Sequence, residues 1–124
     1  MSYVALVTER FDEMTRFYGE LLGFPVVEQW ERENARGWRF DAGGMRVEII
    51  DQAREKRPLE LGDPADRVHI VIEVSDIEEA RERIKVDAPP AKGTSWGSRV
   101  FRIHDPDGIP ITFLQWLEPG AGRG

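Results

Sequence analysis

Aromatic and ionisable side chains near the ends of predicted strands are the residues of this chain that could bind a small molecule. Four tryptophans occur in 124 residues, and such rings stack on planar ligands and hold cations against their faces. Trp38 shares one strand face with Phe40, and Trp116 ends the last predicted strand. We interpret both tryptophans as ligand contacts, and Arg99 as an anchor for an anion or a hydrogen-bonding group. The alternative that two or three tryptophans fill the core or a subunit contact stays open.

The elements that carry these residues are predicted to occur twice. Segment 3–11 resembles 69–77, where a short apolar strand leads into a helix, and 41–49 resembles 105–113, where a turn leads into a strand. This repeated order predicts two βαβββ modules. One small module does not bury its apolar face alone, so the two are expected to pair around a shared concave surface. We place module 1 at about 2–51, an exposed linker at about 52–66, module 2 at about 67–118 and a frayed tail at 119–124.

Length, charge and cysteine content limit the possible functions. With 124 residues the chain is predicted to form one domain. The formal net charge of −6 argues against nucleic-acid binding, which needs clustered Lys and Arg. No apolar run approaches the roughly 20 residues of a membrane helix, and no apolar leader is seen, so no membrane partner is expected. The chain has no cysteine, which removes disulfides and thiolate metal ligands, and a cytoplasmic location is predicted.

Alternation along the predicted strands separates two faces of the sheet. The strictly apolar face is expected to lie under the helices and consists of Val4, Leu6, Val47, Ile49, Ile70, Ile72, Val74, Ile111 and Phe113. The opposite face consists of Tyr3, Ala5, Val7, Arg46, Glu48, Ile50, His69, Val71, Glu73, Thr112, Leu114 and Trp116. Its mixture of aromatic, aliphatic and ionisable groups is typical of a small-molecule pocket. The alternative is a face exposed to water, which would suit Arg46 and Glu73.

The duplicated order of elements, together with three local motifs, resembles the vicinal oxygen chelate superfamily. The motifs are the Phe17-Tyr18 pair, the Leu-Leu-Gly-Phe segment at 21–24 and the Asp-Pro-Asp-Gly turn at 105–108, and the resemblance covers residues 2 to about 118. It implies an α+β fold, in which two βαβββ modules form a curved mixed sheet around a concave cavity, with helices on the outer face. The superfamily includes glyoxalase I, extradiol dioxygenases, fosfomycin-resistance transferases and bleomycin-resistance proteins, so the fold alone does not decide the function.

Metal-dependent members of that superfamily use four ligand positions, which the resemblance carries to Tyr3, Glu48, His69 and Thr112. The usual residues there are His, Glu or Gln, His and Glu, so only Glu48 and His69 match. A catalytic divalent metal needs at least three protein donors and an open position. We therefore expect no metal; if one is present, Glu48 and His69 are its predicted ligands. Without a metal, these two are expected to form a hydrogen-bonded pair across the cavity or to contact the ligand.

The segment Trp-Gly-Ser-Arg-Val-Phe at 96–101, followed by the turn at 105–108, is similar to bleomycin-resistance proteins. That resemblance implies a metal-free homodimer that binds a bulky drug in grooves built partly across the subunit contact. We therefore interpret the chain as a metal-free protein that sequesters an aromatic or cationic small molecule in a tryptophan-rich cavity. The predicted ligand contacts are Tyr3, Trp38, Phe40, Glu48, His69, Trp96, Arg99, Thr112, Leu114 and Trp116.

An enzymatic alternative stays open. A glyoxalase-like lyase or isomerase, or a dioxygenase, would hold its metal with Glu48 and His69. A metal-free catalyst could instead use either residue as a general base, because proton abstraction next to a carbonyl needs only one suitably placed group. These two residues are therefore the catalytic candidates.

Overall fold

The first half of the chain forms a four-stranded mixed sheet. The computed structural model describes residues 2–54, 60–62 and 68–117. The first elements are β1 (Tyr3–Thr8), the helix α1 (Phe11–Arg16), β2 (Val26–Arg32), β3 (Ala35–Asp41) and β4 (Arg46–Asp51). A π-helical turn (Phe17–Leu21) extends α1, and a 3-10 turn (Gln52–Arg54) follows β4. The strands lie in the order β1-β4-β3-β2, with β1 parallel to β4 and the other pairs antiparallel.

The second half repeats this arrangement. Its elements are β5 (Ile70–Glu73), the helix α2 (Ile77–Arg83), β6 (Lys92–Gly93), β7 (Ser98–His104) and β8 (Pro110–Trp116). The order is β5-β8-β7-β6, and again only the first pair is parallel. The predicted α+β fold of two βαβββ modules is confirmed, as two separate four-stranded sheets. Much of the predicted linker and tail, at 55–59, 63–67 and 118–124, lies outside the described residues.

The turn that enters the last strand of each module is built in the same way in both copies. Asp41 accepts a hydrogen bond from the backbone N–H of Gly43, and Asp105 accepts one from that of Asp107, both at 2.9 Å. Each carboxylate thereby fixes the backbone two residues further on. Gly44 and Gly108 occupy equivalent positions in the two turns and have φ angles of +94° and +83°, which other residues rarely adopt. The shared turn chemistry explains why this segment is recognisable as an internal repeat.

The helix-covered faces of the two sheets contribute to one hydrophobic core. The predicted core positions are confirmed, since Leu6, Val47, Ile49, Ile70, Ile72, Ile111 and Phe113 are buried and Val4 and Val74 pack against them. The helices add Met14, Tyr18 and Ile77, which are fully buried. Side chains of this size stabilise a fold by about 1.5–3 kcal/mol each when buried. Among the described residues, neither helix is long and apolar enough to cross a membrane.

Polar contacts join module 1 to module 2, and two of them involve the helix and turn that follow β1. The hydroxyl of Tyr18 donates to Asp105 Oδ2 at 2.8 Å, and both residues are buried. The backbone N–H of Lys85 donates to the carbonyl of Leu21 at 2.8 Å. Burial raises the pKa of Tyr18 and also that of Asp105, so the phenol keeps its proton and remains the donor. The hydrogen bond between Tyr18 and Asp105 holds the first helix against the turn of the second module.

Tyr18→Phe is expected to lower the free energy of unfolding by about 1–3 kcal/mol, because a buried carboxylate oxygen loses its donor. Urea denaturation followed by circular dichroism measures the change. Tyr3→Phe is the matched control, since Tyr3 is the other of the two tyrosines and is 50% exposed. Its effect should stay within about 0.5 kcal/mol. Equal effects of both substitutions would show that the Tyr18–Asp105 contact does not stabilise the fold.

Candidate ligand-binding face

We call the side of each sheet that faces away from the helices its open face. Residues paired across neighbouring strands project from the same side, so the strand register assigns the members. In the first sheet they are Tyr3, Ala5, Val7, Glu28, Trp30, Gly37, Arg39, Asp41, Arg46, Glu48 and Ile50. In the second they include Val71, Glu73, Val100, Arg102, His104, Thr112, Leu114 and Trp116, with His69 just before β5. The predicted division of β1, β4, β5 and β8 into two faces agrees with this register.

An ion pair between neighbouring strands lies on the first open face. Arg39 on β3 is opposite Glu48 on β4, and its Nε and Nη2 atoms donate to Glu48 Oε2 at 3.0 and 2.6 Å. Its Nη1 atom donates to Glu28 at 2.7 Å. The hydrogen bond to Glu48 raises the already high pKa of Arg39 further, so the guanidinium stays charged. Because Glu48 is buried, solvent screens this pair less than a surface pair.

Two aromatic rings flank this guanidinium. Its central carbon lies 4.2 Å from the ring centroid of Tyr3 and 5.7 Å from that of Trp30, which is within the range of cation–π attraction. The indole of Trp30 lies over Gly37 on the neighbouring strand, where an added Cβ would be only 2.3 Å from the ring. Glycine is therefore required at that position. We call Tyr3, Trp30 and Arg39 together the aromatic platform.

His69, Thr112 and Arg102 form a hydrogen-bonded chain on the second open face. The distance from His69 Nε2 to Thr112 Oγ1 is 2.7 Å, and Arg102 Nε donates to the same oxygen at 3.2 Å. Partial burial lowers the pKa of His69, and the charges of Arg102 and His104 lower it further. The imidazole is therefore favoured in its neutral form, which can exchange a hydrogen bond with a ligand.

A pair of indoles lies at the end of the same face. Trp116 Nε1 donates to Glu73 Oε1 at 2.9 Å, and the rings of Trp96 and Trp116 meet edge to face with centroids 5.5 Å apart. Trp96 is 49% exposed, so much of its surface is accessible to a ligand. Leu114, earlier on the strand of Trp116, is buried. The structure thus brings the predicted contacts Trp96 and Trp116 together.

Three predicted ligand contacts lie instead on the helix-covered side. Phe40 is fully buried in the core, and Trp38 packs against the same core. Arg99 pairs with Glu78 of α2 at 2.7 Å. The structure therefore does not bring these three residues to the open faces. Strand register explains this placement. Each of the three residues is next in its strand to a residue of the open face, and neighbouring residues of a strand project from opposite sides.

Sequence reasoning missed Arg39, Trp30 and Arg102 as members of the candidate site. A signal for both arginines was available, because each lies between two apolar residues of its strand. A strand that buries both neighbours on one side presents the residue between them on the other. The position of Trp30 depends on its pairing with Gly37, which no alternation pattern reveals.

The open faces are accessible within the described part of the chain. Tyr3 is 50% exposed and Val71 is 45% exposed. A cavity of about 290 Å³ lies where loop 22–25 and turn 41–43 meet residues of β5 and α2. Within the described residues, neither four-stranded sheet closes on itself.

A comparison of the sequence with models of known protein families identifies the family of this chain. The family model of the Glyoxalase/Bleomycin resistance protein/Dioxygenase superfamily matches residues 1–113. The chain belongs to this superfamily. The resemblance predicted from the repeated modules and turn motifs is confirmed, and no curated protein matches the sequence.

Solved structures of similar proteins share the superfamily fold. A glyoxalase/bleomycin resistance protein/dioxygenase from Nocardioides is 22% identical with a TM-score of 0.71, covering 98% of this chain and 85% of that chain. TnmS3, an antibiotic binding protein from Streptomyces sp. CB03234, is 18% identical with a TM-score of 0.70, covering 94% of each chain. Lactoylglutathione lyase from Agrobacterium tumefaciens is 18% identical with a TM-score of 0.67, covering 93% and 92%. These similarities establish the fold and leave the activity open.

The positions at which some superfamily members hold a metal do not fit a metal centre in this chain. Glu48 Oε2 already accepts two N–H groups of Arg39, whose charge would repel a divalent cation. His69 Nε2 is hydrogen-bonded to Thr112. Within residues 2–54, 60–62 and 68–117, no three His, Asp or Glu side chains form a group that could hold a metal. The predicted hydrogen bond between Glu48 and His69 is also not formed, because each bonds within its own sheet.

A double-mutant cycle on Arg39→Met and Glu48→Gln is expected to give a coupling free energy of about 1–3 kcal/mol, because the pair is charge-assisted and shielded. The same cycle on Arg83→Met and Glu79→Gln is the control, since that ion pair is exposed on α2. Its coupling should stay below about 0.5 kcal/mol. Urea denaturation of all variants measures both, and equal couplings would contradict a structural role for the Arg39–Glu48 pair.

Proposed function

We propose that this superfamily member sequesters a small aromatic or cationic molecule without a metal and without changing it chemically. The aromatic platform is the observation that carries the proposal. The Arg39 guanidinium lies 4.2 Å from the ring centroid of Tyr3 and 5.7 Å from that of Trp30, and it is held by Glu48. The carboxylate that metal-dependent relatives would use for their metal is therefore committed to organising a charged, aromatic surface.

A planar ligand would gain affinity from these rings. Aromatic pairs contribute about 0.5–1.5 kcal/mol each beyond the burial of area, and Trp96 with Trp116 supplies a second aromatic surface. The net charge of −6 favours a ligand that also carries positive charge, with its ring system rather than its cationic group against the aromatic platform. The presence of an antibiotic binding protein among the structures of similar fold agrees with this class of function.

The ligand groove is, in this proposal, completed by a second copy of the chain. The platform lies on the first open face, whereas His69, Thr112 and the indole pair lie on the second. Both faces expose apolar or aromatic side chains, such as Tyr3 and Val71. A homodimer that places the first open face of one copy against the second open face of the other would cover them and enclose a ligand. The cytoplasmic location stays a prediction.

Titration of intrinsic tryptophan fluorescence with planar and cationic natural-product antibiotics tests this function. At least one probe should give saturable quenching, and mass spectrometry should recover it unchanged. Arg39→Gln should weaken its binding about tenfold or more, because the guanidinium that packs against the Tyr3 and Trp30 rings is lost. Arg99→Gln is the matched control, since it removes an ion-paired arginine from the helix-covered side, and should leave the Kd unchanged.

Three outcomes would contradict the proposal. The first is folded protein that shows no saturable quenching with any probe, and the second is a recovered probe of altered mass, which would support an enzyme. The third concerns the shared groove. Sedimentation equilibrium with a saturating probe should give the mass of two chains, and a single-chain mass would show that one copy binds the ligand alone.

A further inference from the structure

The hydrogen-bonded chain on the second open face has a fixed direction. Arg102 is the donor in its contact with Thr112 Oγ1, because a guanidinium has no acceptor. Thr112 is buried, and its oxygen also lies 2.7 Å from His69 Nε2. A hydroxyl oxygen carries one hydrogen and two lone pairs, so one lone pair is used by Arg102 and the hydrogen still needs an acceptor.

His69 Nε2 is the acceptor that the described residues provide for this hydrogen. If Nε2 carried its own hydrogen, the Thr112 oxygen would receive two donors and its hydroxyl hydrogen would be buried without a partner, which is unfavourable. An unprotonated Nε2 places the hydrogen of the neutral imidazole on Nδ1. The positive charge of Arg102 acts in the same direction, because it disfavours the doubly protonated ring.

We propose that Arg102 is a positioning residue that, through Thr112, holds His69 in the Nδ1–H tautomer, so that the ligand is recognised there through an oxygen acceptor such as a carbonyl or carboxylate. The ligand part of this inference rests on the proposed binding function, whereas the tautomer part does not. It adds a specificity determinant to the aromatic platform: the ring system of the ligand contacts the platform, and an acceptor oxygen contacts His69.

Long-range proton–nitrogen correlation spectra of ligand-free protein labelled with ¹⁵N-histidine measure the tautomer directly. His69 should show an unprotonated Nε2 and a protonated Nδ1. Arg102→Met should shift the population towards the Nε2–H form, because the Thr112 oxygen regains a lone pair for His69. Thr112→Val should do the same by removing the hydroxyl. Arg102 is exposed and valine has nearly the shape of threonine, so both variants should fold.

The second histidine and a second arginine serve as controls. His104 is the other of two histidines, and His104→Gln assigns the spectrum. Arg99→Met changes an arginine of the same strand whose side chain lies on the helix-covered side, and should leave His69 unchanged. A protonated Nε2 in the unmodified protein would overturn the inference, and so would a His69 tautomer that does not respond to Arg102→Met.

The ligand part is tested with pairs of probes that share a ring system and differ in one carbonyl or carboxylate. The unmodified protein should bind the acceptor-bearing probe about tenfold more tightly or better, and Arg102→Met should reduce that preference at least severalfold. Equal binding of both members of every pair would overturn the predicted acceptor, even where the tautomer is as expected. Failure of all probes to bind would overturn the proposed function instead, and the ligand-free spectra would still decide the role of Arg102.

Discussion

The ion pair between Arg39 and Glu48 is the interaction on which the properties of the first open face depend. It places a permanent positive charge in the surface of a sheet, close to two aromatic rings, and it occupies an oxygen of the carboxylate that a metal would need. The pair exists because β3 and β4 are aligned with these two residues opposite each other. A slip of one residue would exchange the two faces, so the chemistry of the site depends on the strand register.

That register is maintained by residues that never reach the open face. On the other side of the same strands, Phe40 pairs with Val47 and both are fully buried. Moving either residue to solvent would cost about 1.5–3 kcal/mol. Gly43 closes the connecting turn with a backbone conformation that few other residues adopt. The hydrophobic core and the turn therefore determine which side chains a ligand can meet.

Much of the fold followed from the sequence because two of its signals were redundant. The internal repeat predicted the order of elements, and strict apolar alternation separated the faces of β1, β4, β5 and β8. The site was harder to predict, because aromatic residues serve cores and ligands equally well. Trp38 was assigned to the site and lies against the core, whereas Trp30 was not assigned and lies on the open face. That difference rests on the pairing of Trp30 with Gly37, a contact between strands that composition cannot show.

Both open faces share one physical design, in which a polar group is held by neighbours before any ligand arrives. Arg39 is held by two carboxylates, and His69 is held by a hydroxyl that is itself held by an arginine. Preorganisation of this kind reduces the entropy lost on binding. It also commits Glu48 Oε2 to two N–H groups of Arg39, whose charge disfavours a cation there. We propose that, in this superfamily member, a ligand-binding surface takes the place that a metal centre has in others.

The metal content of protein purified without chelators tests that claim most directly. The account predicts no more zinc, nickel, iron or manganese, by mass spectrometry of the digested protein, than in a chelator-treated sample. A stoichiometric amount of one of these metals per chain, lost in a Glu48→Gln variant, would contradict it.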